Sequence, residues 1–158
     1  MQSNIAKAFG RTVLIGSGAI GTCLRGTVGI GDEPVELLNL RSPETVKSLH
    51  AAYRRAGSQI LVTNTFAANV LVLGEAGAAD RCDDVNRAGV ALAREAGGPE
   101  GLVWASVGPL GLGLRLEDFP ADVLTDIYRR QCKALAGADA LLLETFVSLQ
   151  EARAALEA

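Results

Sequence analysis

The stretch VLIGSGAIGT, residues 13–22, sets Gly16, Gly18 and Gly21 in a G-x-G-x-x-G array directly after an apolar run. Such an array marks a dinucleotide-binding turn only when it follows a strand, opens a helix and meets an acidic residue about 20 positions later. Thr12 to Ile15 reads as a short strand, so the first condition is met. The next fifteen residues, TCLRGTVGIGDEPVE, contain Gly26, Gly29, Gly31 and Pro34, a density of breakers that predicts no helix. Asp32, Glu33 and Glu36 lie in this glycine-rich loop, and the next apolar strand starts only near Gln59. Two readings remain: glycines needed for a tight turn, or a loop that approaches a small molecule in another fold.

Outward from that loop the chain alternates strand and helix. Strand 12–16 and its loop lead to a helix over 43–56, with Ser42 as N-cap, Pro43 in the first turn and Gly57 as the stop. Val46, Leu49 and Tyr53 give that helix one apolar stripe. Strand 59–63 (QILVT) precedes NTFAAN, a short apolar segment and a helix near 83–96 whose inner face carries Val85, Ala88, Leu92 and Ala96. Strand 102–107 (LVWASV) runs into Gly108-Pro109, then a helix over 121–136 that buries Leu124, Ile127 and Leu135. Strand 140–144 (ALLLE) comes last, and Ser148 with Glu151 forms an S-x-x-E capping box for the final helix.

The strands are continuous apolar runs, as expected where both sheet faces are covered. Alternation of this kind predicts an α/β fold: a parallel (βα)4 sheet with right-handed crossovers, in one domain over residues 1–158. Polar and glycine residues gather at every strand's C-terminal end, the edge where parallel β/α folds bind ligands. The loops concerned are Ser17–Thr22, Thr63–Asn69, Gly108–Gly113 and Glu144–Ser148.

The chain has 158 residues, short of the ~250 of a closed β/α barrel. Its net charge of −3, with both signs interspersed, argues against nucleic acid and membrane surfaces as partners. Lys7 and Arg11 precede an apolar run, but glycines interrupt it and no signal-cleavage site follows. Cys23, Cys82 and Cys132 are far apart, the pattern of reduced thiols in a cytoplasmic protein, and each reads first as a small buried hydrophobe. His50, the one histidine, reads as an ordinary helix-face residue.

Taken in order, the motifs resemble the first half of the homocysteine S-methyltransferase family. They are Ser17-Gly18-Ala19-Ile20-Gly21-Thr22, ELLNL (36–40), PETVKSLHAAYRRAG (43–57), LVTNTFAAN (61–69), VNRAGVALARE (85–95), VGPLG (107–111) and AGADALLLETF (136–146). The resemblance implies the first four strands of a (β/α)8 TIM barrel and a reaction that moves a methyl group to a thiol sulfur. It implies zinc, held by cysteines in later Gly-x-x-Cys and Gly-Gly-Cys-Cys turns that this sequence lacks. It also implies a homocysteine-like amino acid as substrate. The residues carry no signal for the methyl donor. The chain ends at Ala158 without a helix-stop signal, as a truncated domain would.

By this resemblance Ser17, Gly18, Ala19 and Ile20 form the substrate-facing loop, with Thr63, Asn64, Thr65 and Glu144 at later strand ends. Glycines let backbone N–H groups converge on a ligand. Glu144 ends an apolar strand, where a carboxylate is costly unless it meets a cation: the substrate ammonium, or a salt bridge within the loops. The Thr/Asn run either binds the ligand or satisfies its own turn. Ser17 stands where the family usually has Asp, so one negative charge is lost. Two functions follow: the substrate-gripping half of an S-methyltransferase, or a non-catalytic half-barrel that binds an amino acid or a partner chain. Two of the four strands would be apolar edges, which predicts a homodimer or a second chain that completes the barrel.

Overall fold

A computed structural model describes residues 13–111 and 119–158. Thr12 and residues 112 and 113 of the third loop lie outside the described residues. Three parallel strands, β1 (Ile60–Val62), β2 (Leu102–Val107) and β3 (Ala140–Leu143), form one sheet in the order β1-β2-β3. Ile60 pairs with Leu102, and Trp104 with Ala140.

The expected first strand is reduced to one parallel bridge, Gly16 to Ile60. The Ile15 carbonyl accepts from the N–H groups of Gln59 and Ile60, and the Ser17 N–H donates to the Ile60 carbonyl at 2.8 Å. These bonds keep the segment in place beside β1.

Seven α-helices surround the sheet among the described residues: α1 (Gly21–Val28), α2 (Leu38–Arg41), α3 (Pro43–Arg55), α4 (Val70–Glu75), α5 (Cys82–Gly97), α6 (Ala121–Ala134) and α7 (Leu149–Glu157). Helix α1 overturns the expectation that no helix survives after Gly21. Its Leu24, 1% exposed, packs with Ile20, Leu38, Val46 and Leu92, and that burial outweighs the glycine penalty. Gly29, at φ 66°, then closes α1 with a left-handed cap whose N–H meets the Arg25 carbonyl. The main core lies under the sheet, where Leu61, Val103, Ala105 and Val107 meet Val90 and Ala93 of α5, Leu124 and Tyr128 of α6, and Ala154 and Ala155 of α7.

Two expected caps differ in detail. Ser42 occupies the N-cap of α3 but makes no side-chain cap bond. Ser148 accepts from the Glu151 N–H at 3.3 Å, whereas the Glu151 carboxylate turns inward to the Leu110 N–H (2.6 Å) and the Tyr128 hydroxyl (2.9 Å). The capping box is therefore half formed, because its acid fastens the third loop instead.

His50 lies mid-helix, as expected, and on the inward face. It is fully buried on α3, and neither ring nitrogen has a partner. Burial lowers its pKa from 6.5 to about 4, so the ring is neutral in the fold. In the unfolded chain it takes a proton near pH 6.5. Between those values the unfolded state binds the extra proton, so stability falls as pH drops from about 6.5 toward about 4. The difference amounts to about 3 kcal/mol. We expect His50→Leu to remove that part of the pH dependence in parallel melts at pH 7 and pH 4.5; an identical slope in both proteins would refute it.

Both flanks of the sheet are apolar. Val13 is 89% exposed, Ile15 58% and Leu141 45%, and β3 pairs only with β2 among the described residues. Unpaired edges of this kind recruit further strands. Light scattering over a wide concentration range should show self-association, and a monodisperse 16.4 kDa monomer would count against it.

Candidate functional site

The C-terminal ends of the strands frame a cavity of about 390 Å³. Ser17, Gly18, Ala19, Ile20, Thr63, Asn64 and Glu144 line it, together with Glu36, Phe66 and Ser106. Thr65 does not reach it.

The glycine loop is braced from behind. Tyr53 of α3 donates from its hydroxyl to the Ala19 carbonyl at 2.8 Å. A Cβ on Gly18 would stand 3.0 Å from that hydroxyl, so the close approach excludes a larger residue unless Tyr53 shifts. Ser17 is tied to β1, because its Oγ accepts the Val62 N–H at 3.0 Å.

Thr63 and Thr65 join β1 to β2. The Ser106 N–H donates to Thr63 Oγ1 at 3.1 Å, and Thr65 Oγ1 donates to the Ser106 carbonyl at 2.8 Å. The two hydroxyls lie 2.6 Å apart. Thr65 has used its proton on the carbonyl, so Thr63 must donate to Thr65. Both hydroxyl protons are thereby committed to a closed circuit around Ser106. Asn64 is equally occupied, donating to the Val35 carbonyl and to Asn39 Oδ1, each at 2.9 Å. For these three side chains the geometry favours the turn-satisfying alternative.

Glu144 continues the β3 ladder through its N–H to the Val107 carbonyl at 3.1 Å. Its carboxylate accepts from the Ser106 hydroxyl. The next residue, Thr145, has φ 65°, a left-handed conformation that is costly for a β-branched side chain. Strain thus sits directly after Glu144 in the chain.

Sequence reasoning missed Ser106 and Glu36. Ser106 is the one polar residue inside the apolar run LVWASV, and that interruption was its signal. Glu36, 3% exposed, begins the ELLNL motif, which carries the family resemblance without marking this acid as a site residue. Its Oε1 accepts the Ala67 N–H at 2.9 Å. Burial raises its pKa above the usual carboxylate range, against the lowering effects of that N–H and of Arg25.

The zinc implied by resemblance finds no ligand set here. Among the described residues no three His, Cys, Asp or Glu side chains group to hold a metal ion. Cys23 is exposed, whereas burial pushes the thiols of Cys82 and Cys132 up, away from the thiolate that zinc requires. These residues do not fit the group.

A parallel β/α sheet with a cavity at the carboxyl ends of its strands defines the class: a β/α-barrel-type fold. Residues 14–158 match the homocysteine S-methyltransferase family. The chain belongs to that family. It is 31% identical to the methionine synthase of Mycobacterium tuberculosis and 29% identical to that of Mycobacterium leprae, over 98% of this chain and 14% of each relative. The homocysteine methyltransferase MmuM from Escherichia coli, in its metallated form, superposes with a TM-score of 0.81 at 25% identity, covering 95% of this chain and 60% of that one. Its apo form gives a TM-score of 0.66. The chain thus spans about a seventh of each methionine synthase and less than two thirds of MmuM. No helix among the described residues is long and apolar enough to cross a membrane.

Thr145 offers a direct check on the stored strain. Asn tolerates the left-handed region better than Thr, so Thr145→Asn should raise stability by about 1 kcal/mol in denaturant titration. A loss of stability would mean that contacts of Thr145 itself hold the turn.

Proposed function

We propose that this chain grips the amino-acid end of a homocysteine-like thiol while a methyl group is moved to its sulfur. The observation that carries this reading is that the glycine loop and Glu144, far apart in sequence, line one cavity at the carboxyl ends of a parallel sheet. A zwitterionic amino acid needs N–H donors for its carboxylate and anionic acceptors for its ammonium. The braced Gly18–Ile20 backbone suits the first and Glu144 the second. In the transfer itself the thiol loses its proton, the sulfur lone pair forms a bond to the methyl carbon, and the bond from that carbon to the donor breaks. The share of this chain is to hold and orient the substrate for that in-line displacement. The three unpaired cysteines suit a reducing, cytoplasmic setting.

A second reading, a half-barrel that binds an amino acid or a partner chain without catalysis, draws support from Ser17. Its hydroxyl is engaged with the Val62 N–H and carries no charge.

Calorimetric titration with homocysteine tests the grip. Glu144→Gln should weaken binding by about 1.5–3 kcal/mol, the scale of a charged hydrogen bond, whereas Ser17→Asp should strengthen it. Unchanged affinity in both variants would remove the assigned roles. Methyl transfer assayed on the same protein separates the enzyme from the binder.

A further inference from the structure

We propose that Glu36 is a second acceptor for the ammonium group of the amino-acid ligand, acting in the same cavity as Glu144 from a different element of the fold. The inference rests on the amino-acid reading above and adds to it a residue that neither strand ends nor the glycine loop supply.

Three observations carry it. Glu36 is 3% exposed, yet it lines the cavity. A carboxylate so far from water is costly unless a cation or several donors meet it. Among the described residues that line the cavity, none is Lys, Arg or His; Arg25, the cation whose charge reaches Glu36, lines a neighbouring cavity instead. A ligand that brings a positive charge resolves that imbalance, and an ammonium with three N–H donors can serve more than one acceptor.

The placement of Glu36 is fixed from two sides. Asn64 donates to the carbonyl of the neighbouring Val35 at 2.9 Å, and the Ala67 N–H holds Glu36 Oε1 at 2.9 Å. Both clamps come from the segment just after β1, so the acid is locked to the sheet although it sits on a turn before α2. The Ala67 N–H by itself does not call for a charge, because Gln would accept it equally well. The burial that raises the pKa of Glu36 also makes the ionised acid a cost to the empty fold. A buried acid that destabilises the empty protein and faces a cavity has the character of a binding residue.

The test uses the full chain, homocysteine, and 4-sulfanylbutanoic acid, which lacks only the amino group. Glu36→Gln should leave the melting temperature unchanged or higher. It should weaken homocysteine binding about tenfold to a hundredfold and leave 4-sulfanylbutanoic acid binding unchanged. Glu36→Asp, which keeps the charge but withdraws it by one methylene, should fall between. Equal losses for both ligands, or a lower melting temperature with homocysteine affinity intact, would make Glu36 structural and overturn the proposal. If the unmodified chain binds neither ligand, the amino-acid reading falls along with it. If it binds homocysteine and neither Glu36 variant changes that affinity, the proposal for Glu36 falls alone.

Discussion

The ring of hydrogen bonds around Ser106 is the constraint on which the site depends. Its N–H and C=O close a circuit with the hydroxyls of Thr63 and Thr65, and its own hydroxyl donates to Glu144. One residue at the end of β2 thereby fixes the ends of β1 and β3 relative to each other. In a parallel sheet the ladder stops where the strands diverge into loops, and backbone groups beyond that point must find other partners. Here those partners are side chains, so the loops that carry the cavity are extensions of the sheet.

Beneath that ring lies a polar interior that secures the remaining loops. Asn39 donates to the carbonyls of Asn64 and Val85, Asn86 to that of Ala68, and Gln131 to that of Thr65. Each side chain spans two elements that apolar packing alone would leave free to slide. Such a network is worth its desolvation only when nearly complete. It is not quite complete, since Gln131 Oε1 and both nitrogens of His50 lack partners. The interior gives up some stability, and the loops it holds are those that line the cavity.

Much of this was legible in the sequence, and the reasons differ by element. Strands β1, β2 and β3 were readable because a covered parallel strand is a short apolar run between turn residues, a signal local to the run itself. Helix α1 was not, because its glycines argue correctly about propensity and Leu24 prevails through contacts with Leu38, Val46 and Leu92, none of them local. The burial of His50 was hidden for a similar reason: a lone histidine on a helix declares its face only when the neighbouring helix is known. For the site, spacing and resemblance brought out the glycine loop and Glu144. Glu36 and Ser106 stayed hidden because their roles lie in which backbone groups and side chains they meet across the fold, and no periodicity records that.

The location of strain and of unpaired charge gives the arrangement its direction. Thr145 holds an unfavourable backbone conformation immediately after Glu144, and Glu36 is a desolvated acid beside the same cavity. Each lowers the stability of the empty fold, and each would be removed by a small substitution. The packed helices on the covered face of the sheet bury mostly apolar side chains, with His50 and Gln131 as polar exceptions that leave polar atoms without partners. A largely apolar body thus lies under a polar and locally strained rim, and the rim's loops are held by side chains of the sheet rather than by packing alone.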